Sequence, residues 1–265
     1  MYATNTNFNA PVNITQFTIS QYKIGVDGAL APIPGPLPVA GAQPASLAIN
    51  PAGTFAYVAN YNNGAVGSVS QFLIGTGGAL QTIPNEPAAV PAESGPSYVI
   101  VDPTDPYVYV TNQSSASISE YRIGADGGLI SIGTTPMGVP SGNGPSFIAI
   151  DATGSYAYVA DSGSDDVSQY AIDKASGVLT LVTSVSTGAG SEPYGLTIDA
   201  TGKYLYVADR AHTLNDPGTP AVSQFSINPA NGSLTPLPAV TPLPAPAPTN
   251  AVAAGAQPTS IATTP

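Results

Sequence analysis

Apolar and polar residues alternate along this chain in short runs, and turn residues break the runs about every ten positions. Pro145–Ile150, Tyr156–Ala160, Val167–Ile172 and Val178–Val182 each place β-branched or aromatic side chains on alternate positions. That period of two reads as half-buried strands rather than helix. Asp151-Ala152-Thr153-Gly154 and Ser176-Gly177 separate neighbouring runs, and glycine there supplies a positive φ. Each unit therefore predicts four short antiparallel strands.

The unit recurs. Tyr57-Val58-Ala59-Asn60 returns as Tyr109-Val110-Thr111-Asn112, Tyr158-Val159-Ala160-Asp161 and Tyr206-Val207-Ala208-Asp209, and a worn copy, Tyr2-Ala3-Thr4-Asn5, opens the chain. A period of about fifty residues marks a repeated supersecondary unit. Four strands repeated radially form the blade of a β-propeller. The blades are expected near 44–95, 96–144, 145–192 and 193–257. A composite fifth joins 258–265 to 1–43, so that the first strand Pro258–Ala262 completes the N-terminal sheet and closes a five-bladed ring. A β-sandwich would not repeat one four-strand phrase.

Composition narrows the partners. The chain of 265 residues is 43% hydrophobic, enough for a core, but only 8% charged, with a net charge of −11 and five Lys and Arg. Nucleic acid and anionic membrane surfaces, which need clustered cations, are excluded as expected partners. Small neutral or polar molecules, cations, or a protein or glycan partner fit better. No stretch reads as a membrane span. With no cysteine there is neither a disulfide nor a thiolate site. Few charges and many Ala, Thr, Gly and Pro favour an exported, bacterial protein whose leader is absent from this chain.

The phrases Pro-x-x-Ile-Ala-Ile-Asp-x-x-Gly-x-Tyr-x-Tyr-Val-Ala and Val-Ser-Gln-Tyr-x-Ile-x-x-x-x-Gly-x-Leu, as at Pro145–Ala160 and Val167–Leu179, resemble the lactonase-type β-propellers. These include the 6-phosphogluconolactonase-like proteins and the YVTN-repeat surface proteins. The resemblance covers essentially the whole chain and implies the fold strongly and a lactone hydrolase more loosely. It also implies seven blades and a pocket rich in basic residues and histidine. This chain has material for five, and Lys23, Arg122, Lys174, Lys203, Arg210 and His212 are its entire basic supply.

Site candidates follow from the repeat. Asn5, Asn60, Asn112, Asp161 and Asp209 end the second strands and would form an oxygen-lined, substrate-binding mouth, unless they serve only to cap turns. Gln43, Glu192 and Gln257 precede the first-strand prolines and extend that ring. Asp161, Asp209 and Glu192 are candidate ligands of a hard divalent cation such as Ca²⁺. The run Asp161-Ser-Gly-Ser-Asp165-Asp166 looks faintly like a calcium loop. The longest links, 6–18, 210–221 and 235–257, should crowd one sector of one face. Within one of them, His212 is the natural proton acceptor, Arg210 would hold a carboxylate or developing oxyanion, and Asp209 is their acidic partner. The competing expectation is a non-catalytic propeller that binds a protein or glycan through the same lip, or serves as a scaffold.

Overall fold

The computed structural model describes residues 1–5, 17–132, 139–210 and 221–237. These residues form five antiparallel sheets in chain order, with a single short 3₁₀ turn at Asn62–Gly64. The first sheet holds β1 (Tyr2–Asn5), β2 (Phe17–Ile24) and β3 (Leu30–Pro32), with β4 (Val39–Ala40) beside β2. The second runs β5 (Pro44–Ile49), β6 (Phe55–Asn60), β7 (Val66–Ile74) and β8 (Leu80–Thr82), with β9 (Ala89–Ser94) also on β7. The third repeats this with β10 (Pro96–Val101), β11 (Tyr107–Asn112), β12 (Ser117–Ile123), β13 (Leu129–Ser131) and β14 (Val139–Pro140). The fourth is β15 (Pro145–Ile150), β16 (Tyr156–Asp161), β17 (Asp166–Ile172) and β18 (Leu179–Ser186). The fifth is β19 (Pro193–Ile198), β20 (Tyr204–Asp209), β21 (Ala221–Ile227) and β22 (Leu234–Pro236).

The outermost strand departs from the expected single run. In the first two sheets prolines interrupt it, at Pro34, Pro36 and Pro38 and again at Pro84 and Pro87, so it returns to the third strand as a second short piece. Proline offers no N–H to the ladder and is tolerated only at such edges. The fourth sheet has no proline there, and β18 runs unbroken.

Alternation gives every sheet two apolar faces, and the sheets stack face to face. Tyr57, Ala59 and Val69 of the second sheet pack on Val99, Val101, Val108, Val110 and Leu129 of the third. Equivalent cores join the first sheet to the second, the third to the fourth, and the fourth to the fifth. Each fully buried aliphatic side chain contributes about 1.5–3 kcal/mol. Among the described residues this is an all-β, propeller-like arrangement, and no helix is long and apolar enough to cross a membrane.

A polar joint recurs inside these cores. The second-strand tyrosine donates its hydroxyl to a glycine carbonyl in the next sheet: Tyr2 to Gly78 (2.6 Å), Tyr57 to Gly127 (2.8 Å), Tyr109 to Gly177 (2.8 Å) and Tyr158 to Gly232 (2.7 Å). A third-strand side-chain oxygen accepts from the next sheet's leucine N–H: Gln21 from Leu80 (2.6 Å), Gln71 from Leu129 (2.8 Å) and Glu120 from Leu179 (2.7 Å). At three of these four glycines, Gly127, Gly177 and Gly232, an added Cβ would clash with an aromatic ring. At Gly127, with φ 94°, an added Cβ would fall 2.1 Å from the Phe55 ring.

At the ends the joint is half made. Tyr206 and Gln224 of the fifth sheet stand where Tyr158 and Gln169 stand in the fourth, and Gly28 and Leu30 of the first match Gly78 and Leu80. Leu30 is 45% and Ile24 59% exposed, whereas Leu80, Leu129, Leu179 and Leu234 are buried. Among the described residues no strand pairing and no core joins the first sheet to the fifth. The expected closing strand, Pro258–Ala262, lies outside the described residues.

Candidate functional site

The first strands β5, β10, β15 and β19 lie side by side at the inner ends of the sheets. Each begins with a proline and a bulge, so its second residue opposes nothing on the neighbouring strand: Ala45, Ser97, Ser146 and Tyr194. The residue before the proline takes a left-handed conformation, at Gln43 (φ 52°), Gly95 (69°), Gly144 (64°) and Glu192 (46°). Its carbonyl accepts the N–H of the residue following the second strand, from Tyr61, Gln113, Ser162 and Arg210 respectively. The four described mouths therefore share one backbone frame and differ in the two side chains it presents.

In the third and fourth sheets the bulge residue ties sheets together. The Ser97 hydroxyl donates to the Pro145 carbonyl (2.9 Å), and Ser146 reaches the carbonyls of Pro193 (3.2 Å) and Tyr194 (2.9 Å). In the fifth sheet the pattern changes. Tyr194 occupies the bulge, and the Arg210 guanidinium lies 3.4 Å above its ring centroid. Arg210 Nε is buried and has no hydrogen-bond partner. Between the third and fourth sheets, Tyr98 and Phe147 stack with centroids 3.8 Å apart and planes 28° from parallel.

The ring of second-strand Asn and Asp residues is placed differently from expectation. Asn60, Asn112 and Asp161 are fully buried and Asp209 is 2% exposed. Their side chains turn toward the third strand and not into an open mouth. Asn5 Nδ2 donates to Thr18 and Ser20 (both 3.0 Å), Asn60 Nδ2 to Ser70 Oγ (2.9 Å) and Asn112 Nδ2 to Ser119 Oγ (2.9 Å). Asp161 accepts from Ser141 (2.5 Å) and Ser168 (2.6 Å), and Asp209 from Ser223 (2.6 Å). Serine at alternate third-strand positions supplies most of these partners, a regularity visible in the repeat.

Burial sets the electrostatics. It pushes the Asp161 carboxyl up to about 7, against the lowering effect of its two serine hydrogen bonds and with Asp166 adding to the rise. Burial likewise pushes Asp209 up to about 6, opposed by Ser223. Glu120, far from the mouth, rises to about 7 by burial, with the Leu179 N–H pulling the other way.

The acidic candidates do not converge. Among the described residues no group of three His, Cys, Asp or Glu side chains is placed to hold a metal ion. Asp165, central to the calcium-loop reading, accepts the N–H groups of Gly190 (2.7 Å) and Glu192 (2.9 Å) on its two oxygens, so it braces the link between the fourth and fifth sheets. Asp209 and Arg210, adjacent in sequence, point apart. Asp209 turns toward β21, where it lines a side groove of about 340 Å³ with Ser186, Thr187, Ser191 and Ser223. Arg210 turns toward β19.

His212, Gln257 and most of the three long links lie outside the described residues. Tyr194 is not among the residues that sequence reasoning singles out. A signal for it exists, since it stands where the other copies carry Ala45, Ser97 and Ser146.

Repeated bulges on stacked four- and five-stranded antiparallel sheets are the architecture of a β-propeller. Residues 69–253 match the lactonase family, described as a seven-bladed β-propeller, and the chain belongs to that family. Among solved structures it is similar to a putative 6-phosphogluconolactonase from Bacteroides uniformis, with a TM-score of 0.71 and 20% identity over 89% of this chain and 66% of that one. The periplasmic gluconolactonase of Pseudomonas aeruginosa gives 0.67 and 21% over 89% and 67%. A protein from Lactobacillus plantarum gives 0.68 and 21% over 86% and 63%. The chain thus spans about two thirds of the length of these structures, or slightly less. A search of curated proteins gives no match.

Proposed function

We propose that the protein is a lactonase-like hydrolase whose site is the channel mouth at the fifth sheet. The observation that carries this is the Tyr194–Arg210 pair. It sets a guanidinium at the inner end of the sheets, in a family named for lactone hydrolysis. Ring opening places negative charge on the carbonyl oxygen. A guanidinium N–H held beside that oxygen stabilises the charge as it develops. The water that attacks needs a proton acceptor, and His212, two residues beyond Arg210, is the residue of suitable ordinary pKa. Asp209 does not share this role in our reading, because its carboxyl is buried and turned toward Ser223 on β21, away from Arg210. Composition favours an exported protein.

The test is a lactone and aryl-ester hydrolysis screen of the parent, Arg210→Ala and His212→Ala, with and without chelator. Removing a donor to a developing oxyanion lowers kcat by about 10²–10³. Turnover that survives both substitutions sinks the site. A parent inert on every lactone favours the binding or scaffold alternative.

A further inference from the structure

The outer edge of a sheet is a row of unpaired N–H and C=O groups, and proteins that stay apart blunt it. Among the described residues, four of the five sheets do so by brevity and by proline. The outer pieces β3, β4, β8, β13, β14 and β22 are two or three residues long. Pro32, Pro140 and Pro236 end β3, β14 and β22, and the longer β9 carries Pro91 inside it and Glu93 near its end. Proline gives such an edge no N–H to offer.

The fourth sheet has no such guard. β18 runs eight residues, pairs with β17 from Leu179 to Ser186, and is flanked by no further strand among the described residues. Thr180 to Ser184 are all exposed, with Leu181 at 50% and Val182 at 52%. The pairing register skips Val182, a bulge that sets these two apolar side chains next to each other in solvent. No charged residue and no proline occurs from Val178 to Ser191. An uninterrupted, β-branched, uncharged run is the composition that pairs with its like. Each copy of the chain carries a net charge of −11, so two copies repel at long range. A contact between them needs a strip that is free of charge on both sides. β18 meets that condition twice over, because in a two-fold antiparallel pair the same strand supplies both sides.

We infer that β18 is a self-association edge: β18 of a second copy pairs with it antiparallel about a two-fold axis and joins two four-stranded sheets into one of eight. With one such edge per chain among the described residues, the assembly ends at two copies. A single strand pair is small beside the roughly 1,200–2,000 Å² of a stable interface, so the dimer is weak and forms as concentration rises.

Sedimentation velocity of the full chain, from about 5 µM to about 1 mM, tests this. The parent should shift from monomer toward dimer, and further at about 0.15 M salt than at about 0.01 M, because screening shortens the reach of the like charge. Val182→Glu brings like charges together across the pair and should weaken the dimer at least about tenfold. Val182→Thr keeps an uncharged β-branched side chain and should stay within about threefold. Position 182 is exposed, so both variants should melt with the parent, which shows that the fold is intact. Amide hydrogen exchange should slow within Thr180–Ser186 at the high end of the concentration range. A parent that stays monomeric at about 1 mM overturns the inference. So does a Val182→Glu protein as associated as the parent, an equal loss in Val182→Thr, assembly beyond two copies, or a dimer whose exchange in β18 is unchanged.

Discussion

Glu120 gives the sharpest test of the energetics. It fills the joint position that holds Gln21, Gln71, Gln169 and Gln224 in the other sheets, and it is only 8% exposed. One oxygen accepts the Leu179 N–H, as the glutamines accept from Leu80 and Leu129. Burial raises its pKa from 4.5 to about 7. A carboxyl whose folded pKa lies above its unfolded value binds a proton in the native state that the unfolded chain has released. Stability therefore falls as pH rises from about 4.5 to about 7, and the loss is complete above that window. The shift corresponds to roughly 3 kcal/mol at pH 8. Glu120→Gln keeps the acceptor and removes the titration. The variant should match the parent near pH 4 and exceed it by roughly 3 kcal/mol at pH 8, a Tm difference on the order of 5–10 °C. Paired thermal melts at the two pH values measure this. Asp161 and Asp209 titrate in both proteins, so the difference isolates position 120. A gap that is equal at both pH values, or absent at pH 8, refutes the reasoning.

Three further outcomes are expected. Tyr158→Phe leaves the Gly232 carbonyl without its donor inside a core and should cost about 1–3 kcal/mol in urea denaturation. Gly127→Ala meets both a positive φ and the Phe55 ring, and should destabilise by more than the roughly 1 kcal/mol of an ordinary glycine replacement, with Phe55→Ala partly rescuing it. Asp161→Asn should raise the midpoint most at pH 8, less at pH 5, with no titration-linked gain left near pH 3, because the parent's loss builds from the unfolded value of 3.8 up to about 7.

The sheets are legible in the sequence because alternation and turn chemistry act over a few residues. The Tyr-Val-Ala-Asn phrase and the Asp-Ala-Thr-Gly turns locate second strands and hairpins directly. The interrupted outer strand is not legible, since it depends on where prolines meet an edge. The site is harder still. Asn60, Asn112 and Asp161 look like ligands from their type and recurrence, yet serines two positions apart on β7 and β12 take the Nδ2 groups of the two asparagines, and Ser168 on β17 donates to Asp161. A residue's partner across a strand is a matter of register, which a list of types does not contain. Tyr194 escapes notice for the opposite reason: only comparison of one bulge with its counterparts makes it unusual.

The half-made joints at Tyr206 and Gln224, and at Gly28 and Leu30, have a wider consequence. Among the described residues the second-strand tyrosine of each of the first four sheets donates to a glycine carbonyl of the next, so the coupling has a direction. Duplicating or deleting a whole period of the gene leaves each remaining contact chemically intact. The number of sheets in such a stack is thus not fixed by the tyrosine–glycine joint between neighbours, which is the same wherever it is made.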